Sequence, residues 1–165
     1  MAFQYKNVYW LWVSAAVMLL DQITKQMVVK AIGYTDVLPV MPHLNLVHMH
    51  NTGAAFSMLS SAPRALFIVL GVAVSVGILW WMRKNPRGQS LFAASLALIL
   101  GGALGNVIDR ATRGFVIDYV DFYWGSWHFA AFNVADMAIS VGAGLMILDM
   151  LLESRRARQA AAAKG

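Results

Sequence analysis

Four apolar runs divide this chain, and each has about the length of a membrane-crossing helix. They cover approximately residues 9–29, 65–81, 91–108 and 132–152. A helix needs roughly 20 mostly apolar residues to cross a bilayer. The first run is the most polar, because its second half contains Asp21, Gln22, Lys25 and Gln26. The pattern predicts a membrane all-α protein, a four-transmembrane-helix bundle that forms a single domain over residues 1–165.

Two of the connecting segments show the period-two alternation of β-strands instead. Residues 43–48 alternate between two sets of side chains, and residues 116–121 do the same. Alternate residues of a strand face opposite sides of a sheet, so Asp118 can face the bundle while Asp121 points elsewhere. We therefore expect a small extended or β segment at one membrane surface, above the start of the fourth run, where Asp136 enters the bilayer.

Basic residues at the ends of the runs predict how the bundle is oriented, because Lys and Arg collect on the cytoplasmic side. Eight favour one side, namely Lys6, Arg83, Lys84, Arg87, Arg155, Arg156, Arg158 and Lys164. Five lie toward the other, namely Lys25, Lys30, Arg64, Arg110 and Arg113. This split places both termini, the loop 82–90 and the tail 153–165 in the cytoplasm. The longer segments 30–64 and 109–131 then lie on the opposite side.

Composition narrows the class of protein. Of the 165 residues, 59% are hydrophobic and 13% are charged, whereas about a quarter of a soluble domain is charged. The absence of cysteine excludes disulfides, thiol catalysis and cysteine-type zinc sites. The net charge of +5 lies in the flanks of the runs rather than on a patch with interleaved aromatics, so no nucleic-acid partner is expected. No small-residue cleavage site follows the first run, which we expect to remain as a helix.

Asp118 and Asp136 are the residues most indicative of function. Both lie at the edge of an apolar run, where a carboxylate is costly and commonly marks a functional site. The chain between them contains a glycine-bearing aromatic turn, residues 123–127, and is long enough to bring the two side chains together. Two close carboxyls cannot both ionise easily, and they share one proton in aspartic proteases. The alternative is structural: Asp136 caps or pairs within the bundle, and Asp118 is a solvated loop acid.

Two amides and an arginine lie close to these acids along the chain. Asn133 precedes Asp136 by three residues on the same helix face. It can orient a carboxylate, the substrate or a water, or serve as a helix N-cap. Asn106 and Arg110 are an i, i+4 pair at the end of the third run. Arg110 can bind a carboxylate or a peptide carbonyl, although an ion pair with Asp109 or another acid is the preferred interpretation.

Other polar residues have structural explanations. Asp21 and Lys25 are an i, i+4 pair on the first run, which we interpret as structural because pairing lessens the cost of burying either charge. The motifs Gly101-x-x-x-Gly105 and Ala138-x-x-x-Gly142 are typical of close helix packing in membranes.

One loop and one strand offer weaker candidates. In Asn51-Thr-Gly-Ala-Ala-Phe56, the small residues around Gly53 either let a substrate backbone approach or simply form a turn. His48 and His50 share one side of a strand, but no third ligand is nearby and His43 is offset in register. A metal site is therefore not predicted.

Together these motifs resemble those of the lipoprotein signal peptidase family, the bacterial signal peptidase II, over essentially the whole chain. The resemblance rests on Asp21-x-x-x-Lys25, Asn51-Thr-Gly-Ala-Ala-Phe56, Gly105-Asn106-x-x-Asp109-Arg110 followed by Val116-Ile-Asp118, and Phe132-Asn133-x-Ala-Asp136. Each fragment alone is weakly specific. Four of them in this order, on four runs of the right length, are highly specific.

The resemblance implies an aspartyl endopeptidase of the bacterial inner membrane, which removes the signal peptide of a prolipoprotein just before the cysteine that carries diacylglycerol. It implies that Asp118 and Asp136 are the catalytic dyad, without metal or cofactor. The positions that would bind substrate or brace the site are Asn51, Gly53, Asn106, Arg110 and Asn133. Those with a structural polar role would be Asp21, Lys25 and Asp109. The expected partners are the lipid-modified prolipoprotein, membrane lipid and the inhibitor globomycin, and we expect a monomer with its site toward the periplasm.

Two other functions fit parts of the pattern. A small proton-coupled transporter or channel would use Asp21, Asp118 and Asp136 as a proton relay. Such a protein is expected to show inverted repeats or broken helices, and the sequence shows neither. A non-catalytic scaffold or lipid-binding partner explains the bundle but leaves two acids at the hydrocarbon edge without a purpose.

Overall fold

The fold is a helical bundle with a small antiparallel sheet at one end. The computed structural model describes residues 9–53, 59–84 and 90–163. In chain order the elements are α1 (Leu11–Ala31), β1 (Val37–Met41), β2 (Leu44–Asn51), α2 (Arg64–Lys84), α3 (Ser90–Thr112), β3 (Val116–Trp124), β4 (Trp127–His128) and α4 (Val134–Ala162). Six residues named above lie outside the described ranges, namely Ala54, Ala55 and Phe56 of the small-residue loop and the basic residues Lys6, Arg87 and Lys164.

Helix α3 is the centre of the bundle, because it packs against each of the helices α1, α2 and α4. Its buried side chains include Leu96 and Leu100, which pack with Ile78 and Met82 of α2. Helix α2 exposes most of its apolar side chains, as a helix does when one of its faces meets lipid rather than protein. The protein core therefore lies along α3, and the outer helices present apolar surface outward.

Among the described residues, three helices are long and apolar enough to cross a membrane, namely α2, α3 and α4. Helix α1 has 21 residues but is not among them, since Asp21, Gln22, Lys25 and Gln26 make its second half polar. The mainly helical membrane architecture is confirmed, whereas the count of four spans stays a prediction.

The helices extend past the predicted runs, most of all at α4. This helix continues to Ala162, because the residues beyond Leu152 are mainly strong helix formers such as Ala, Arg and Gln. At its other end, α4 begins after the apolar run does, since Phe132 forms an isolated bridge with Val120. The run therefore begins with an extended segment that is tied to β3, and the helix follows it.

The extended segments form a four-stranded antiparallel sheet in the order β1-β2-β3-β4. The predicted strand character is confirmed for residues 44–48 and 116–121, whereas His43 lies in the turn before β2. Strands β1 and β4 were not predicted by the alternation. The register between β2 and β3 shifts between Leu46 and Met49, so that Met49 lies opposite Asp118. A bulge of this kind redirects the side chains of a strand, here next to the carboxylate of interest.

Small residues let the helices approach closely, as the two packing motifs predicted. A Cβ atom on Gly101 would lie 2.7 Å from the carbonyl oxygen of Ser14 in α1, and one on Gly142 would lie 2.8 Å from that of Ser95 in α3. At Gly102 the added atom would overlap the carbonyl oxygen of Ala135 in α4. The backbones of α3 and α4 therefore touch one residue before Asp136.

We expect Gly102→Ala to lower the free energy of unfolding by about 1 to 3 kcal/mol, the usual cost of overpacking a close contact. The added methyl group would meet Ile139 at 2.8 Å in addition to the backbone of α4. Reversible denaturation in mixed detergent micelles would measure the change. Gly77→Ala is the matched control, because nothing lies within 4 Å of a Cβ at that position, and equal destabilisation by both variants would contradict the packing account.

Candidate active site

The fold brings Asp118 and Asp136 to one pocket from two different elements. Asp118 lies on β3 and is 4% exposed. Asp136 lies in the first turn of α4. The two elements are joined because the backbone N–H groups of Tyr119 and Val120 both donate to the carbonyl of Phe132, at 3.0 and 2.8 Å. The solvated-acid explanation of Asp118 is therefore wrong, since a paired sheet and bundle bury it.

Asn133 connects the two acids. Its Nδ2 donates to Oδ1 of Asp118 at 2.7 Å, and its Oδ1 accepts from the backbone N–H of Asp136 at 3.0 Å. Its own backbone N–H donates to Oδ2 of Asp136 at 3.2 Å, which completes a capping box. Asn133 thus has both roles proposed for it, as N-cap of α4 and as a hydrogen-bond partner of a carboxylate.

Each carboxylate receives a second amide donor from another element. Nδ2 of Asn51, at the end of β2, donates to Oδ2 of Asp118 at 3.0 Å. Nδ2 of Asn106, on α3, donates to Oδ1 of Asp136 at 2.8 Å. All four carboxylate oxygens therefore accept a hydrogen bond, and neither side chain is free to rotate.

The electrostatic environment differs between the two acids. Burial and, to a lesser extent, the negative charge of Asp136 raise the pKa of Asp118 to about 7, although the amide donors of Asn51 and Asn133 oppose this shift. Asp136 instead lies at the N-terminus of a 29-residue helix, where the helix dipole stabilises negative charge. The surroundings of Asp118 therefore favour its protonated form.

Both acids open onto a cavity of about 640 Å³ with mainly apolar walls. Its polar lining residues are Asn51, Asn106, Arg110, Asp118, Asp136 and Ser140. Its apolar lining residues are Val116, Phe129, Ala130, Ala131, Phe132, Met137, Ile139 and Val141. Ser140 was not predicted, although it follows Asp136 by one helical turn and that spacing places it on the same face. The cavity suits an apolar ligand that presents one polar bond to the acids.

Arg110 does not form the ion pair that was preferred for it. Its Nη2 donates to the carbonyl oxygen of Gly53 at 2.6 Å, and its guanidinium lies 5.0 Å from the ring centre of Phe67. Within the described residues, Asp109 is paired with Lys25 and Arg113 instead. The reason is helical geometry: adjacent residues point about 100° apart, so Asp109 faces α1 while Arg110 faces the cavity.

The loop after β2 is held on the same side of the cavity. The backbone N–H of Gly53 donates to Oδ1 of Asn51 at 2.9 Å, and Arg110 binds the carbonyl of Gly53. Asn51 thereby presents its Nδ2 group to Asp118. The remainder of this predicted small-residue loop, from Ala54 to Phe56, lies beyond the part of the chain that the structure describes.

Behind the cavity lies a fully buried charge cluster formed by Asp21, Lys25 and Asp109, each 0% exposed. Nζ of Lys25 lies 2.8 Å from Oδ2 of Asp21 and 2.7 Å from Oδ2 of Asp109. The predicted pair of Asp21 and Lys25 is therefore present, as part of a larger group that also includes Arg113. Oδ1 of Asp21 accepts from the backbone N–H of Ala135 at 2.9 Å, which ties α1 to the first turn of α4.

His48, His50 and His128 lie on strands of the sheet, and none of them lines the cavity in the described part of the chain. Nε2 of His50 and Nε2 of His48 are 3.2 Å apart, so the two rings share a side of β2 as the alternation predicted. His43 is separate and stacks on Trp124 with ring centres 4.2 Å apart. In the described ranges no three His, Cys, Asp or Glu side chains are grouped as a metal site would require.

Known proteins resemble this chain over most of its length. Residues 13–152 match the family described as signal peptidase (SPase) II. The protein of Alteromonas mediterranea called lipoprotein signal peptidase is 45% identical over 151 residues, which are 90% of this chain and 83% of that protein. The proteins of the same name from Pasteurella multocida and Paraburkholderia phymatum are 48% and 47% identical, over 84% and 90% of this chain and 86% and 91% of their own lengths.

Solved structures agree with the sequence relatives. A bacterial membrane enzyme determined by the in meso method at 2.3 Å resolution has a TM-score of 0.81 and 27% identity, and covers 92% of this chain and 91% of its own. A second, at 1.9 Å, has a TM-score of 0.77 and 28% identity, over 90% of this chain and 94% of its own. With its apolar helices, its paired acids and these matches, the chain belongs to the signal peptidase II family of membrane peptidases.

Proposed function

We propose that this chain is an intramembrane aspartyl endopeptidase that removes the signal peptide from diacylglyceryl-modified prolipoproteins, just before the lipid-modified cysteine. The observation that carries the proposal is the pair of acids formed by the buried Asp118 and the half-buried Asp136, which face one apolar cavity and are joined through Asn133. A pair of carboxyls that shares one proton supplies both an acid and a base for peptide hydrolysis. Membership of a peptidase family favours this function over a transporter or a scaffold.

In the proposed mechanism, the ionised Asp136 takes a proton from a water molecule while the protonated Asp118 donates one to the carbonyl oxygen of the scissile peptide. The water oxygen bonds to the carbonyl carbon and gives a tetrahedral intermediate. Asp136 then passes its proton to the leaving nitrogen, the C–N bond breaks, and the hydroxyl proton returns to Asp118. The two carboxyls carry every proton transfer, so the mechanism requires no metal or cofactor.

The walls of the cavity support this substrate class. A signal peptide and a diacylglycerol are both apolar, and both already reside in the bilayer. Phe129, Phe132 and Val141 line the cavity beside the acids and can hold such groups. Binding energy from these remote parts of the substrate would position the scissile bond between the carboxyls. Globomycin is expected to inhibit by occupying the same cavity.

The proposed topology follows from the helices and the basic flanks. We propose that α1 is a fourth span, with its charged residues Asp21 and Lys25 buried against α3 rather than exposed to lipid. Both termini would then lie in the cytoplasm of a bacterium, and the sheet with Asp118 would lie at the periplasmic surface of the inner membrane. We further propose that the protein acts as a monomer, because both acids and the amide groups that bind them belong to one chain.

The test is cleavage of a purified prolipoprotein with and without the diacylglyceryl group on its cysteine. The chain, reconstituted in lipid nanodiscs, is expected to cut the modified substrate and to leave a product whose first residue is the lipid-bearing cysteine, as identified by mass spectrometry. The unmodified precursor should be cut far more slowly. Failure to cut the modified substrate, or a cut at another bond, would contradict the proposed function.

A further inference from the structure

The buried ammonium of Lys25 contacts the network around the acids as well as the charge cluster behind them. Besides its two carboxylate partners, Nζ donates to Oδ1 of Asn106 at 3.1 Å. The other end of the same amide, Nδ2, donates to Oδ1 of Asp136 at 2.8 Å. A chain of two hydrogen bonds therefore runs from the interior of α1 to an acid that faces the cavity.

An amide side chain has two ends of nearly equal shape and opposite hydrogen-bonding character. The orientation in which Nδ2 faces Asp136 is compatible with an ionised carboxylate, which can only accept. An ammonium can only donate, so Lys25 at 3.1 Å requires the oxygen of Asn106 on its own side. The position of Lys25 thus fixes which end of the amide faces the acid.

The surroundings of Lys25 hold its ammonium in this place. Its side chain is 0% exposed and lies between Asp21 and Asp109, which are also 0% exposed. The close approach of α1 to α3 is possible because residue 105 is glycine: a Cβ there would lie 2.7 Å from Oδ2 of Asp21. The ammonium thus lies between two acids and the amide oxygen, with little freedom to move.

We propose that Lys25 is a positioning residue for hydrolysis, which orients the amide of Asn106 so that its N–H groups face Asp136. This inference rests on the proposed function and goes beyond the structural role expected for the Asp21–Lys25 pair. Lys25 does not line the cavity in the described part of the chain, and it reaches the amides around the acids through its hydrogen bond to Asn106. Without it, the amide can turn and present its oxygen to Asp136, which opposes ionisation of that carboxyl.

The test variant is Lys25→Met combined with Asp21→Asn, which removes one positive and one negative charge and so leaves the net charge of the cluster unchanged. We expect kcat to fall by about 10-fold or more, the usual effect of losing a hydrogen bond to a charged group, with KM within about twofold of the parent. The acid side of the pH–rate profile should move to higher pH. The charged and titratable groups that act on Asp136 and stay in place are Asp118, Tyr119 and Arg110, and Asp109 stays in place beside Arg110.

Three comparisons separate positioning from simple loss of structure. Asp21→Asn alone keeps Lys25 and should retain the pH profile of the parent, as should Lys30→Met, which removes an exposed lysine of the same helix. Asn106→Ala should lower kcat as much as the charge-balanced double variant does. Adding Asn106→Ala to that double variant should lower kcat no further. Additive losses, or a double variant with the kcat and pH profile of the parent, would overturn the proposal.

A readout without substrate keeps the inference separate from the proposed function. Selective ¹⁵N labelling of asparagine side chains gives an NH₂ signal for Asn106, which the Asn106→Ala spectrum identifies. In the parent protein, introducing Asp136→Asn should change the chemical shift of this signal. In the charge-balanced variant, introducing Asp136→Asn should leave that chemical shift unaltered. If the parent cuts no substrate, the proposed function fails, yet this response still supports Lys25 as the residue that orients the amide. An unchanged response in the charge-balanced variant would overturn the inference. If that variant does not fold, parental kcat in Asn106→Ala would overturn it instead.

Discussion

Replacing either Asp118 or Asp136 by asparagine is expected to lower kcat for lipid-modified prolipoprotein by on the order of 10³-fold or more. An asparagine in place of Asp118 could not transfer the proton that the carbonyl oxygen needs, and one in place of Asp136 could not take a proton from water. Both variants should fold, because asparagine has the size of aspartate and its amide oxygen can still accept one of the two hydrogen bonds at each position. Single-turnover cleavage in nanodiscs would measure the rate, and thermal melting would establish folding.

Asp121→Asn is the matched control for these variants. Asp121 is buried to a similar degree on the same strand, at 7% exposed, and it also accepts from an asparagine, since Nδ2 of Asn45 lies 2.9 Å from its Oδ2. It does not line the cavity in the described part of the chain. Its replacement should therefore leave kcat nearly unchanged. A folded Asp118→Asn or Asp136→Asn variant with near-parental activity would show that this acid is structural.

Asn133→Ala is expected to lower kcat by about 10- to 100-fold, which corresponds to the loss of a hydrogen bond to a charged or shared carboxyl group, and also to destabilise the protein. Asn133 is 0% exposed, and its amide donates to both Asp118 and the carbonyl of Ile117. The lost N-cap of α4 alone should lower the free energy of unfolding by about 1 kcal/mol. Cleavage rate and denaturation would be measured on the same preparation.

A second substitution at this position separates the cap from the catalytic contact. Asn133→Asp keeps a side-chain oxygen for the N–H of Asp136, so α4 should retain its cap. It removes the donor to Asp118 and adds a third carboxylate, so activity should fall at least as far as in Asn133→Ala. Asn45→Ala removes a comparable buried amide that binds Asp121 and should spare activity. Full activity in Asn133→Asp would mean that Asn133 serves only the helix.

The helices and the position of the two acids could be predicted from the sequence, because both depend on local patterns. A long apolar run has few structural alternatives to a membrane helix, and Asn133 precedes Asp136 by the spacing of a capping box. The end of α4 was missed because hydropathy reports the membrane span, whereas the helix continues through the polar residues that follow Leu152.

Contacts between distant elements could not be predicted in the same way. The hydrogen bond from Lys25 to Asn106 joins residues 81 positions apart, and no spacing rule links them. The direction of Arg110 was misjudged for a related reason: the packing of α3 against α1 turns Asp109 toward Lys25 and leaves Arg110 facing the cavity. Which side of a helix meets which neighbour is a property of the assembled bundle.

The most direct test of the central claim, a carboxyl pair that operates with one shared proton, is the pH dependence of single-turnover cleavage in nanodiscs. The rate should fall above about pH 7, because the pKa of Asp118 is raised to about 7 by burial and by the charge of Asp136, and deprotonated Asp118 cannot donate to the peptide carbonyl. It should also fall in acid, where the carboxylate that accepts the proton from water becomes protonated. Asp121→Asn should give the same profile. A bell-shaped profile is the predicted result, and a rate that stays constant from acid to alkaline pH would contradict the account.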